Sequence, residues 1–249
     1  MSGVRLAFSW LTVLPVPGPE QVDREVAARG IRVAPLVGVL LGAAAAGLLW
    51  LLTTAGANPL LAGFVVVAGL ALITRGMHLD GLADTFDGLG SYGPPERARQ
   101  IMKSGGAGPF GVAAIVFSIA VQAVSFAALA QAHRWLAVAL AIALGRVAVV
   151  LACRAGVPAA PDTGFGALVA ATQRVWTGLG WVALAIVLAV FAVPGRPWLG
   201  PLVVLAAVAL SELLVRHTTR RFEGLSGDVL GAALELTVGA AAAGLSLAA

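Results

Sequence analysis

Val33-Ala-Pro-Leu-Val-Gly-Val-Leu-Leu-Gly42-Ala-Ala-Ala-Ala-Gly-Leu-Leu-Trp-Leu-Leu-Thr-Thr54 runs the length of a bilayer without a charge. About 20 apolar residues in a helix span the hydrocarbon core, where every backbone amide and carbonyl must be satisfied within the segment. Similar runs follow at 58–74, 109–131, 135–153, 175–193, 198–215 and 229–248. The second is short, and the last is rich in small residues and holds Glu235 near its start. The sequence therefore predicts an all-α polytopic membrane bundle of six or seven transmembrane helices. A mean hydropathy of +0.95 leaves too little polar surface to cover a soluble domain of this size.

Small residues mark where spans pack closely: Gly42 with Ala43 to Ala46, and Gly239 with Ala240 to Ala243. The segment 1–19 lacks a small-residue cleavage site and reads as a short helix at the interface or on the bundle. No linker divides the chain, so residues 1–249 form one domain. The single Cys153 excludes an internal disulfide and a thiolate metal cluster. The arginines are dispersed, with no basic stripe interleaved with aromatics, so nucleic acid is not the partner. The lipid bilayer is. Trp10, Trp135, Trp176 and Trp198 sit near span ends as interface anchors, and His133 and His217 look interfacial.

Basic residues set the orientation. With seven spans and the N-terminus inside, every Lys and Arg lies on the inner side except Arg134 and Arg196, outside, and Arg146, within a span. All the acids, Asp162 among them, fall on the inner side or in the inner part of a span. That pattern predicts one concentrated polar site on the cytoplasmic face of the cell membrane, built from the segments 18–31, 75–108, 154–174 and 216–228.

The chemistry lies in His78-Leu-Asp80-Gly-Leu-Ala-Asp84-Thr-Phe-Asp87-Gly88. On a helix, Asp80, Asp84 and Asp87 share one face. Three stacked carboxylates repel unless a cation offsets them, and hard oxygen ligands suit Mg²⁺ or Mn²⁺. Arg97, Arg99 and Lys103 follow, then Ser104-Gly-Gly-Ala-Gly108. Acids, cations and a glycine turn in that order suit phosphoryl chemistry: carboxylates hold the metal, and cations and glycine amides meet phosphate oxygens. An acidic loop backed by topology anchors is the plainer reading of the same residues. His78 could act as metal ligand or general base, or support the helix start. Arg146, expensive inside a span, needs a phosphate or carboxylate partner. Asp228 and Glu235, seven apart at the start of the last span, are expected to join the same site; the plainer reading makes Asp228 an N-cap and Glu235 a buried hydrogen-bonded acid.

With these residues quoted, the chain resembles the cobalamin synthase family, the adenosylcobinamide-GDP ribazoletransferases. The likeness covers nearly the whole length. It is carried by Phe8 to Pro17, Ala34 to Gly42, His78 to Gly88, and Gly224-Leu-Ser-Gly-Asp228-Val-Leu-Gly-Ala-Ala-Leu-Glu235. One departure stands out: after Ile101-Met-Lys103 the family usually has Asp-Ser, and here stands Ser104-Gly105. The resemblance implies transfer between adenosylcobinamide-GDP and α-ribazole, or its 5′-phosphate, giving adenosylcobalamin, or its 5′-phosphate, and GMP. It implies Mg²⁺ as cofactor. Two other readings stay open. A CDP-alcohol type phosphotransferase acting on a lipid alcohol would need a lipid-accessible groove beside Asp80 to Asp87. A secondary transporter would need acids from several spans near the midplane. Oligomeric state is left open, a homo-oligomer included.

Overall fold

A computed structural model describes residues 2–161 and 164–247. Asp162 and residue 248, at the end of the last expected span, lie outside the described residues. The described residues form eleven helices: α1 (Ser2–Leu11), α2 (Arg24–Thr54), α3 (Pro59–Ile73), α4 (Met77–Gly90), α5 (Pro95–Met102), α6 (Pro109–Gln131), α7 (Trp135–Ala152), α8 (Gly164–Val169), α9 (Val175–Ala189), α10 (Leu199–Arg221) and α11 (Gly227–Ser246). The all-α reading holds.

Five of them, α2, α6, α7, α10 and α11, are long and apolar enough to cross a membrane. The bent pair of α3 and α4, counted as one broken span, makes six, the lower of the two expected numbers; α3 and α9 have only 15 residues each. At 1.5 Å per residue such a helix covers about 22 Å, short of a bilayer core of about 30 Å. In compensation, α2 and α10 outrun their expected spans, starting at Arg24 and ending at Arg221. Pro35 sits inside α2 without ending it.

The bundle is built around α7 and α11. Most of α7 and of α11 is enclosed by the rest of the bundle, against about a third of α6 and α10. The outer helices keep apolar side chains such as Leu61, Phe117, Val187 and Leu213 on the outside, as lipid-facing helices should. Trp176 and Trp198 are likewise exposed at helix starts.

Close crossings depend on missing side chains. A Cβ on Gly42 would meet the Ala139 carbonyl oxygen of α7 at 2.5 Å, and one on Gly38 would meet Ala143 Cα at 3.0 Å. Gly63 meets α6 in the same way at Ala123. The expectation for Gly239 fails: its nearest neighbour across the gap is Val121 Cγ1, at 3.9 Å. Gly145 and Gly244 take that role for α11, against Val238 and Leu234, and against Val203.

The polar segments meet at one end. Asp23 caps α2 by accepting from the Val26 amide at 2.8 Å, and Arg24 donates to carbonyls of Ala167 and Ala170 on and beside α8. The Arg75 guanidinium donates to Ser9 O and Thr12 O, tying α1 to the end of α3. Arg75 and Gly76 both take left-handed φ, of 57° and 67°. This pair of residues turns the chain by 92° from α3 into α4, so α4 lies across the bundle end instead of continuing a span.

Candidate active site

Helix α4 carries Asp80, Asp84 and Asp87, as the spacing predicts, and is pressed against the start of α11. The contact needs glycine on both sides. A Cβ on Gly81 would strike Asp228 Cα and its carbonyl oxygen, each at 2.8 Å. A Cβ on Gly231 would lie 3.0 Å from His78 O and 3.4 Å from Gly81 Cα. Asp228 is thereby set beside the acids of α4, though about 140 residues separate them in sequence.

The N-cap of α11 is Ser226, whose hydroxyl accepts from Val229 N at 3.3 Å. Asp228 is therefore not the cap, and its carboxylate accepts from the Ser226 hydroxyl at 3.3 Å. The turn before it is clamped: Leu225 N donates to Pro158 O at 2.8 Å, and Ala160 N to Leu225 O at 3.0 Å. Gly224, at φ 152°, packs so tightly on Ala159 and Ala160 that no Cβ would fit.

The three acids of α4 part company. Asp87 is 8% exposed and turned to α6. Its oxygens accept from Gly108 N at 2.6 Å and Gly111 N at 2.9 Å. A carboxylate there satisfies orphan amides and faces the positive end of the α6 dipole. Gly108, expected to offer its amide to phosphate, gives it to Asp87 instead. Asp80 is exposed and Asp84 half-buried. Burial, then the charges of Asp228, Asp80 and Asp87, push the Asp84 carboxyl up to about 7.

The cations are dispersed. Arg99 donates to Phe222 O and pairs with Glu223 and, at 3.8 Å, with Glu96, so it clasps α5 to the turn before α11. Arg97 stands exposed. Lys103 is exposed and borders the same small pocket as Asp228 and Ser226. Arg146 lies elsewhere, 3% exposed inside the bundle, where Nη1 donates to Ile142 O at 3.2 Å and Nε has no partner. Glu235 is two helical turns below Asp228, about 10 Å along the axis. It accepts from Gln122 Nε2 at 2.6 Å and Ser118 Oγ at 3.4 Å. Glu235, Arg146 and His78 line one narrow cavity beneath the site. His78 is buried, and its pKa is lowered to about 3 by burial and by Arg146, which makes it a weak proton acceptor at neutral pH.

A wider cavity of about 250 Å³ lies beside the acids, lined by residues of α2, α4, α7 and α11 and by Leu11 and Phe165. Asp80, Asp228, His78 and Arg146 line it. Sequence reasoning missed its apolar walls, and missed Gln122 and Ser118. The one available signal was a polar amide and hydroxyl in the otherwise apolar run 109–131.

Among the described residues no three of His, Cys, Asp or Glu converge as a ready metal site. Mg²⁺ does not require that, since it takes one or two carboxylates and completes its octahedron with water and substrate phosphate. The crowding of Asp84, whose carboxyl feels Asp228 first and then Asp80 and Asp87, fits such an ion, with Asp84 and Asp228 as the carboxylates that would hold it.

These features define a polytopic helical membrane protein with a carboxylate-rich site at one end of the bundle. Residues 3–246 match the family described as cobalamin-5-phosphate synthase, and the chain belongs to that family. It is 41% identical to the adenosylcobinamide-GDP ribazoletransferase of Corynebacterium efficiens, over 94% of this chain and 87% of that protein. Proteins of the same name from Corynebacterium diphtheriae and Frankia casuarinae are 35% and 38% identical, over 93% and 96% of this chain and 86% and 92% of theirs. No solved structure matches.

Gly81→Ala is expected to force α4 off α11. Overpacking of this kind costs about 1–3 kcal/mol, and activity should fall more than tenfold while the protein stays folded in detergent. Activity within twofold of the parent would show that the crossing tolerates a methyl group.

Asp84 titrates higher in the folded chain than its ordinary 3.8. The folded state thus holds the proton more tightly, and its stability drops as pH rises from about 4 through about 7. In EDTA, the melting temperature of the parent relative to Asp84→Asn should decline across that range, and Mg²⁺ should restore it at pH 8. A difference that is flat with pH would remove the crowding.

Proposed function

We propose that the protein joins adenosylcobinamide-GDP to α-ribazole or its 5′-phosphate, releasing GMP. The observation that carries the reading is the pair Asp80 and Asp228 on the wall of the 250 Å³ cavity, with Asp84 crowded by both, in a chain whose relatives bear the transferase name. A ribose hydroxyl of the ribazole attacks the phosphorus on the cobinamide side of the diphosphate. One P–O bond forms, the P–O bond to GMP breaks, and the hydroxyl proton passes to Asp80, exposed at the mouth. Such a transfer is mostly positioning and charge neutralisation. A Mg²⁺ ion held by Asp84 and Asp228, with water and substrate phosphate completing its shell, would supply charge for the diphosphate oxygens. Lys103, beside Asp228, and exposed Arg97 meet the diphosphate from the other side. Asp87 keeps the α6 start in place, and Arg99 holds the turn that presents Asp228.

A lipid alcohol as acceptor has one observation in its favour. A groove of about 440 Å³ between α4, α6, α10 and α11 is lined by Leu82, Phe86, Phe110 and Phe117. No α4 carboxylate lines it, and its acid, Glu235, is held by Gln122 and Ser118. A lipid hydroxyl seated there is separated from Asp80 and Asp228, which favours the ribazole reading.

Purified protein with Mg²⁺, adenosylcobinamide-GDP and α-ribazole should release GMP, and EDTA or Asp84→Asn should lower the rate at least a hundredfold. Lys103→Ala should raise KM for the GDP-bearing substrate several-fold. GMP release that depends on added lipid alcohol and not on ribazole would replace the acceptor.

We infer also that this end of the bundle faces the cytoplasm, on the distribution of basic residues. A cysteine in place of Tyr92, which is 96% exposed, in a Cys153→Ser background, should react with an impermeant thiol reagent in inverted vesicles only. Labelling of intact cells would reverse the orientation.

A further inference from the structure

We propose that the 250 Å³ cavity beside Asp80 and Asp228 is the seat of the attacking nucleoside's base, and that it selects a bicyclic aromatic with one acceptor nitrogen and no N–H. The inference rests on the reaction proposed above and assigns one of its two substrates to a place.

Size comes first. The cavity measures about 250 Å³. That suits a fused two-ring base with small substituents and excludes a corrin macrocycle, which must remain outside the mouth. The chemistry of the walls comes second. Ile31 and Ala34 from α2, Val149 from α7 and Leu230 and Leu234 from α11 make an apolar box. Leu11 and Phe165 line it too, with the Phe165 ring held edge-on by Trp10, centroids 5.0 Å apart. Guanine suits this seat less well, because the acceptors for its N–H edge are the carboxylates of Asp80 and Asp228, which the proposed reaction uses at the ribose and the metal.

The polar contact comes third. Arg146 is 3% exposed, yet its guanidinium makes a single hydrogen bond, to Ile142 O, and its Nε has no partner. A guanidinium offers five N–H donors and no acceptor. Its charge is faced by Glu235 across the narrow cavity behind it, so the seat calls for a neutral acceptor more than for an anion. The dimethylbenzimidazole base of α-ribazole matches on each count. It is flat and apolar, carries two methyl groups, and has one free ring nitrogen that accepts and none that donates. Bound with that nitrogen towards Arg146, it leaves its ribose at the mouth, where Asp80 and Asp228 stand. Arg146 then serves as a base-recognition residue and has no part in holding the diphosphate.

The test uses unmodified protein in detergent with EDTA, so that no turnover occurs, and measures equilibrium binding of α-ribazole and of its indole analogue, in which C–H replaces the acceptor nitrogen. The seat predicts binding of α-ribazole, at least tenfold weaker binding of the indole nucleoside, and no competition by guanosine. With Mg²⁺ restored, Ala34→Phe, which fills the box, should raise KM for α-ribazole more than tenfold and leave KM for adenosylcobinamide-GDP within twofold. Should that variant not fold, the nucleoside series on the parent protein decides alone. Equal binding of the two nucleosides, with GMP still released on turnover, overturns the seat and leaves the reaction standing. Absence of GMP release with α-ribazole and with its 5′-phosphate overturns the reaction, and the seat with it.

Discussion

The crossing of α4 over α11 is the constraint on which the site depends. Gly81 and Gly231 face each other closely enough that a methyl group on Gly81 would strike the Asp228 backbone at 2.8 Å. This approach brings like charges together, and the result is visible in Asp84, whose carboxyl is pushed up to about 7. Packing energy from the buried faces of the two helices holds the acids where electrostatics alone would drive them apart. A site that stores repulsion in this way is prepared for a cation and for a phosphate-bearing substrate.

Several devices exist to make that crossing. The left-handed pair Arg75 and Gly76 turns α4 across the bundle end, and Arg75 is anchored on α1 through Ser9 O and Thr12 O. Asp87 pins the far half of α4 to the amides at the start of α6. The turn before α11 is held by Pro158, Ala160 and Arg99. Each contact joins segments distant in sequence, and each involves polar groups that an apolar bundle could place only at its end.

Beneath the acids the polarity falls in steps: exposed Asp80, half-buried Asp84, then Arg146 and Glu235 in the interior. Charges at that depth are tolerated because they face one another and their neighbours. Glu235 has Gln122 and Ser118, and Arg146 has the Ile142 carbonyl. The donors left over on Arg146 are what make the cavity above it selective.

The sequence by itself determined the class of fold, since long uncharged runs leave a chain no structure but spanning helices. It also determined that Asp80, Asp84 and Asp87 share a helix face, because helical spacing is local, and the four motif blocks placed the chain in its family. Only the tertiary structure decided which acids lie together. Asp87 has the same spacing as its neighbours, but its surroundings are the amides of Gly108 and Gly111, and no local pattern announces that. Asp228 joins the α4 acids through a glycine contact across some 140 residues, whereas Glu235, one face and two turns away, is kept apart by helical rise. The break in the second apolar run is likewise a feature of three dimensions: the 92° turn after Ile73 cuts α3 short, and it follows from two left-handed residues whose effect depends on what the α1 end offers Arg75 to hold.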